Sequence, residues 1–481
     1  MGGLVGIDQG TSGTTVLVLD SDWEVRSQST APVISRHTVG GGVEQDPWEV
    51  LDSVVGACAA AMARTPEAVD AAGFAHQGET VMAWDAGTLE PLSPAIVWSD
   101  RRPDVVTERI RQRGLAEQVA RLSGMRLDSY FCAAKYRWML DELPTVADHA
   151  GTGRLRLGTL ETWLLLQLGA DPETDAGTAS RTQLTRLGEP WWDPELLDIF
   201  AMSAGWLAPI GDSRSDRGAL SHESWEFDLP VRAVMVDQPA ALVGNGCLDP
   251  GDMKVTYGTG AFVVANAGRA QPEPQTAVIT SVGWADGGGP VYVLDGGVLS
   301  VGSALAWLGG LGVDVGPEAH HQLVGRGPSS LVVLPALNGT GSPRWHRGDT
   351  VVISGMTAAT TGADLLQGFL DSFAFRVREI VEAMEAGGVS RPSSLRVDGG
   401  LTRSAYLMQR QADVLGVPVE VAGNDEATAV GVALMAQPAL GESTFPTRLK
   451  QTSAVFEPIA VAETDQAYRS WRDQTGGRQV G

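Results

Sequence analysis

The stretch Gly6-Ile-Asp8-Gln-Gly-Thr11-Ser12-Gly-Thr-Thr15-Val-Leu-Val-Leu19 decides the fold. Leu4–Ile7 and Thr15–Leu19 are apolar and β-branched, and they flank a Gly/Ser/Thr turn. The segment therefore predicts strand, tight turn, strand. The pattern returns about half a chain later, at Lys254-Val-Thr-Tyr-Gly-Thr259-Gly-Ala-Phe-Val-Val264. Such an echo predicts two similarly built halves. Gly, Asn, Asp and Pro cluster over Asn245–Gly251, which places the boundary there. The expectation is an N-terminal domain over residues 1–246 and a C-terminal domain over 247–481, packed closely about a cleft.

Outward from the two turns, strand and helix patterns alternate, the mark of an α/β fold. Asp46-Pro47-Trp48-Glu49 reads as a helix start, with Asp46 as cap, Pro47 at the first helical position and Glu49 completing a capping box. Gly73–His76, Thr80–Trp84 and Val231–Val236 read as strands. Asp364 to Ala386 is a long amphipathic helix ended by Gly387-Gly388, with Leu366, Leu370, Phe373, Val377, Ile380, Val381 and Met384 on one face. A strand at Leu395–Val397, a helix to Leu415, a strand at Val417–Val421 and a helix over Thr428–Met435 follow.

Composition narrows the chemistry. The 35 Lys+Arg against 58 Asp+Glu leave a formal net charge of -23, which argues against nucleic acid or an anionic membrane as partner. Lys135, Lys254 and Lys450 are the only lysines, and none follows a glycine, so no Walker-type Gly-Lys-Ser/Thr is present. The three cysteines are far apart, which fits a reduced compartment. No apolar run approaches a membrane span, and the start Met1-Gly-Gly-Leu does not read as a signal peptide. A soluble cytoplasmic enzyme is expected.

The glycine turn at Asp8–Thr15 lets backbone N–H groups approach a phosphate, with Thr11 and Ser12 adding hydroxyl donors, although an ordinary hairpin looks the same. An aspartate at the end of the preceding strand, Asp8, suits Mg²⁺ held through water. Two facing turns could grip one triphosphate. Asp237-Gln238-Pro239 follows an apolar strand, where an aspartate accepts a proton from a substrate hydroxyl. A plain helix N-cap explains Asp237 equally, and the local pattern alone favours the cap. Asp398-Gly399-Gly400, Gln77-Gly78-Glu79 and Trp98-Ser-Asp-Arg-Arg102 are further polar clusters at strand ends.

Taken in order, these segments closely resemble the FGGY carbohydrate kinases, and within them the glycerol kinase branch. The resemblance also rests on Tyr130-Phe-Cys-Ala-Ala-Lys-Tyr-Arg-Trp138, Gly158-Thr-Leu-Glu-Thr-Trp163, Ala179-Ser-Arg-Thr182 and Ser354–Asp371. It implies two ribonuclease-H-like domains of the actin-like ATPase fold, closing on ATP and a polyol or sugar. Position by position it implies Asp237 as catalytic base and Asp8 as the carboxylate that serves Mg²⁺. It implies Thr11 and Thr259 on phosphates, and Gly302 and Gly400 around the nucleotide. Glu79, Tyr130, Asp237 and Gln238 would hold polyol hydroxyls, with Trp98 as the wall beside the carbon chain.

The chain departs from the resemblance at several points. Gly78 stands where glycerol kinases carry an arginine that clamps two hydroxyls, which leaves room for a four- or five-carbon polyol. Thr15 replaces a phosphate-facing arginine, Ala306 a nucleotide-contacting glutamine and Ser404 an asparagine in the nucleotide site. The resulting expectation is ATP-dependent phosphorylation of a primary hydroxyl, glycerol first. Erythritol, a pentitol or xylulose are alternative substrates, and a non-kinase actin-like ATPase or an impaired sensor the more distant readings. A small substrate is the expected partner, and self-association as a homo-oligomer is compatible with it.

Overall fold

The computed structural model describes residues 2–65, 68–423, 426–437 and 452–476; Met1 and Lys450 lie outside the described residues. Two large mixed sheets are built to one plan. In the N-terminal half, Gly3–Gln9 pairs antiparallel with Gly13–Leu19, and that strand with Val25–Pro32. On its other side Gly3–Gln9 runs parallel to Val69–His76, which runs parallel to Leu229–Val236. In the C-terminal half, Met253–Tyr257 pairs antiparallel with Ala261–Gly268, and that strand with Gly289–Val298. Met253–Tyr257 then runs parallel to Leu395–Asp398, which runs parallel to Val419–Ala422. The echo between Gly6–Leu19 and Lys254–Val264 is thus a repeat of sheet topology. In the N-terminal sheet Leu229–Val236 is a mostly apolar, buried run, whereas in the C-terminal sheet Leu395–Asp398 and Val419–Ala422 alternate apolar residues with Arg396 and Glu420, which pair with each other.

Helices cover both sheets. Pro47–Met62 packs on the N-terminal sheet through Val50, Leu51, Val54 and Cys58. Asp46 caps it as expected, accepting from the Trp48 N–H at 2.9 Å. Glu49 does not complete a capping box: its carboxylate takes Arg36 instead, at 2.5 Å. Gly362–Ala386 covers the C-terminal sheet with the seven apolar residues named above, all buried, and here Thr361 and Asp364 do form a capping box. A third, smaller sheet of five short strands, including Val81–Asp85 and Leu155–Thr159, joins helices such as Cys132–Glu142 in a separate apolar core.

The halves meet through Asp237–Gly244 and Ala427–Met435, two helices buried between the large sheets. They cross backbone to backbone. A Cβ on Gly431 would lie 1.8 Å from the Ala240 carbonyl oxygen, and one on Gly244 1.9 Å from that of Ala427. Ala427–Met435 also seats on the N-terminal sheet, where Gly6 and Gly73 admit its backbone. Among the described residues, no helix is long and apolar enough to cross a membrane.

Candidate active site

The candidate residues stand at the carboxyl ends of parallel strands, where open α/β sheets bind their ligands. Asp8 stands at the end of Gly3–Gln9, and Gln77–Glu79 follow Val69–His76. Asp237 follows Leu229–Val236, and Gly399-Gly400 follow Leu395–Asp398. Each glycine turn is closed by a backbone hydrogen bond, Gly10 N–H donating to Gly13 O at 2.9 Å and, one residue tighter, Gly258 N–H to Gly260 O at 2.8 Å. Thr11 is half-buried, and Ser12, Thr259 and Gly400 are exposed. Gly302 starts a helix directly on the second turn: its N–H donates to Gly258 O at 3.1 Å, and a Cβ there would stand 2.6 Å from that oxygen. Gly400 has open space where a side chain would be.

Ser404 is not available to a ligand. It is buried, caps the helix Ala405–Leu415 through the Leu407 N–H, and shares a 2.8 Å hydrogen bond with His320 Nδ1. Thr15 likewise pairs with Thr30 on the sheet, at 3.1 Å, and Ala306 is exposed.

The polyol candidates converge. Trp98 is fixed on two sides: its ring Nε1–H donates to Thr11 Oγ1 at 2.9 Å and its backbone N–H to Thr80 Oγ1 at 3.2 Å. The edge of its ring meets Tyr130 at 5.8 Å between centroids. The Tyr130 carbonyl accepts from the buried Lys135 ammonium. Asp237 is the first residue of its helix, and Val236 holds the cap position, so the N-cap reading does not apply. Its Oδ1 accepts from the Gln238 N–H at 2.6 Å. Gln238 Oε1 accepts from the Lys254 ammonium.

Three residues of this site had no role assigned from the sequence. Arg181 is 2% exposed and donates to Glu79 through Nε and to Asp295 through Nη1, the latter at 3.1 Å. Glu79 and Asp295 belong to opposite halves, so one guanidinium ties them across the cleft. Lys254 does the same for Gln238. The signal for Arg181 was its place in Ala179-Ser-Arg-Thr182; nothing local marked Asp295 or Lys254 as site residues. Glu79 Oε2, Tyr130 Oη, Arg181 Nη2, Asp237 Oδ2 and Gln238 Nε2 have no hydrogen-bond partner among the described residues. Together they offer donors and acceptors to a small polyhydroxy ligand.

Charge is concentrated here. Burial, then the nearby Glu79, push the Asp237 carboxyl up to about 6, against the pull of Lys254 and Arg181. Burial, then Asp237 and Glu426, raise Asp8 well above the ordinary carboxylate range. Asp8 Oδ1 is buried without a hydrogen-bond partner. An orphaned carboxylate oxygen beside a second carboxylate is a place where a cation is favourable. Among the described residues no cluster of three or more acidic, His or Cys side chains could hold a metal by itself. The fit is therefore to an ion that takes most of its ligands from phosphates and water, as Mg²⁺ does.

Models of the FGGY family of carbohydrate kinases match the chain twice, the N-terminal domain over residues 4–244 and the C-terminal domain over 253–440. The chain belongs to this family. It is 35% identical to a glycerol kinase from Alcanivorax borkumensis, over 98% of this chain and 97% of that one. A glycerol kinase from Thermus brockianus is 34% identical over the same shares. Among solved structures, Plasmodium falciparum glycerol kinase with ADP superposes with a TM-score of 0.93 at 26% identity, over 100% of this chain and 98% of that one. A xylulose kinase from Rhodospirillum rubrum shares the fold, with a TM-score of 0.88 at 21% identity over 98% of both chains. This FGGY kinase thus has the two-domain actin-like ATPase fold expected from its motifs.

Proposed function

We propose that this kinase transfers the γ-phosphoryl group of ATP to a primary hydroxyl of a small polyol, converting glycerol to glycerol 3-phosphate. The observation that carries the reading is the convergence of Glu79, Tyr130, Asp237 and Gln238 beside the Trp98 wall, between two glycine turns. The glycerol kinase relatives and the ADP-bound neighbour support the choice of glycerol and of ATP. Residues 1–246 would carry the polyol and the base, and residues 247–481 most of the nucleotide contacts, through Thr259, Gly302 and Gly400.

In this reading Glu79, Tyr130 and Gln238 orient the polyol, and Trp98 packs against its carbon chain. The substrate oxygen forms a bond to the γ-phosphorus, the bond from that phosphorus to ADP breaks, and the hydroxyl proton passes to Asp237. Thr11, Ser12 and Thr259 donate to the phosphates. Positioning and charge stabilisation supply most of the rate. Mg²⁺ held at Asp8 would supply positive charge to the transferring phosphates. The three free, buried cysteines support a reducing, cytoplasmic setting.

Gly78 favours a second reading. Its φ is +60°, and the nearest atom to a Cβ there is Val236 Cγ1 at 3.3 Å. The position is suited to glycine and brings no clamp to the polyol, which favours a four- or five-carbon polyol or xylulose. A coupled ADP-release assay with glycerol, erythritol, xylitol and xylulose separates the readings. Glycerol with the highest kcat/KM is expected; a preference for a longer substrate overturns the glycerol assignment, and ADP release independent of every substrate overturns the kinase reading.

A further inference from the structure

This chain has almost no lysine, and both lysines among the described residues are 0% exposed. An ammonium is rarely buried unless it is paired, because leaving water is costly. Lys254 lies on Met253–Tyr257, the first strand of the C-terminal half. Its Nζ donates to Thr256 Oγ1 on the same strand at 2.7 Å and reaches across to Gln238 Oε1 at 2.6 Å. Gln238 is in the first turn of Asp237–Gly244, next to the proposed base. The short bond to a charged donor fixes which way the Gln238 amide points: its oxygen is committed to Lys254, and its NH₂ is left to donate. Thr256 lies three residues before Thr259, at the start of the second phosphate turn.

We propose that Lys254 is a positioning residue for phosphoryl transfer: it locks the Gln238 amide with its NH₂ toward the polyol and ties that amide to the strand that carries the second phosphate turn. The inference rests on the polyol-kinase reading of the site. It assigns Gln238 the role of donor to a substrate oxygen and makes its aim depend on the opposite half of the molecule. Burial lowers the lysine's proton affinity, and the neighbouring Asp398, Asp237 and Asp295 oppose that, so a counter-charge is available to keep the ammonium in place. Lys135 has a parallel arrangement, donating to the carbonyl of Tyr130. Each buried lysine therefore grips a residue proposed to touch the polyol.

The test is steady-state kinetics of Lys254→Met, Gln238→Met and the double variant, with glycerol and ATP varied separately. Losing a charged hydrogen bond that aims one substrate contact is expected to raise the glycerol KM by about 10- to 100-fold, with the ATP KM within about threefold of wild type. The double variant is expected to be no worse in glycerol KM than Gln238→Met alone, because both changes remove the same aimed donor. Thr256→Val removes only the second bond of the ammonium and is expected to give a smaller rise of the same kind, which keeps the test available if Lys254→Met does not fold. Unchanged glycerol KM in both position-254 and position-256 variants, equal losses toward glycerol and ATP, or additive losses in the double variant would each overturn the proposal. A wild-type enzyme that phosphorylates none of the polyols or ketoses overturns the reading beneath it instead, and that arm is read before any variant is made.

Discussion

Arg181→Met is the perturbation whose outcome depends most directly on the geometry. The guanidinium is nearly unexposed and serves two carboxylates, Glu79 at 3% and Asp295 at 4% exposure. Methionine keeps much of the volume and removes the charge, so the cavity contribution is small. What remains is two buried carboxylates without a cation. Removing one partner of a buried ion pair costs about 3–5 kcal/mol, or about 6–20 °C in Tm for domains of this size. The loss should depend on pH. Burial raises the Asp295 carboxyl, and Arg181 is the first influence opposing that rise. In the variant the folded-state pKa climbs further above the unfolded value. The folded form then binds more protons than the unfolded one, and stability falls as pH rises between the two values. The variant's deficit is therefore largest at pH 8 and shrinks toward pH 5. Thermal melts of both proteins across that range, with the wild-type curve subtracted, read the effect directly. A deficit below 2 °C at pH 8, or one that does not shrink on acidification, refutes the buried-cation argument. Arg181→Lys should recover part of the stability but not the polyol KM, since a point charge cannot reproduce the two-pronged hold on Glu79 and Asp295.

Asp237→Asn is expected to abolish turnover while ATP affinity by calorimetry stays within about threefold; near-wild-type phosphorylation would exclude it as the base. Because the Asp237 carboxyl is pushed up to about 6, wild-type kcat/KM for the polyol should fall as pH drops through that value, the base losing its function as it takes a proton. Gly431→Val, with a Cβ 1.8 Å from the Ala240 carbonyl oxygen, should leave little soluble protein, since rigid backbone stands on both sides; normal expression and melting would contradict the close crossing. Gly78→Arg places a side chain at φ +60°, costing about 1–2 kcal/mol, and should lower the glycerol KM if the missing clamp limits glycerol binding. Unchanged substrate preference counts against Gly78 as the size determinant.

Much of the site was legible because its residues sit at places that sequence patterns mark: glycine turns between strands, and polar residues at strand ends. Asp8, Glu79, Asp237 and Gly400, proposed for the site, all stand at such places, although the pattern alone favoured a helix cap at Asp237 and the resemblance supplied its role. The pattern failed where partners are remote in sequence. Arg181 finds Asp295, and Lys254 finds Gln238, only once two sheets face each other. Glu49 shows the same limit on a small scale: the local rule offered a capping box, and Arg36, brought in by a neighbouring strand, took the carboxylate instead. Ser404 shows it too: its position beside the nucleotide motif gave no sign that its hydroxyl caps the helix Ala405–Leu415 and meets His320.

The seat of Ala427–Met435 on the N-terminal sheet has a consequence for how the chain is made. The face formed by Leu4, Ala71, Ala75 and Met235 is complete about halfway through synthesis, yet Ala429, Val432 and Ala433 from near the end of the chain help to cover it. At ribosomal speeds of 5–20 residues per second, that surface waits about 10–40 s after its last strand has emerged. A nascent chain released or stalled in that interval presents an apolar sheet face to the cell. The protein is thus expected to be a client of ribosome-associated chaperones, and the N-terminal half expressed alone should aggregate unless the 427–435 helix is supplied in trans.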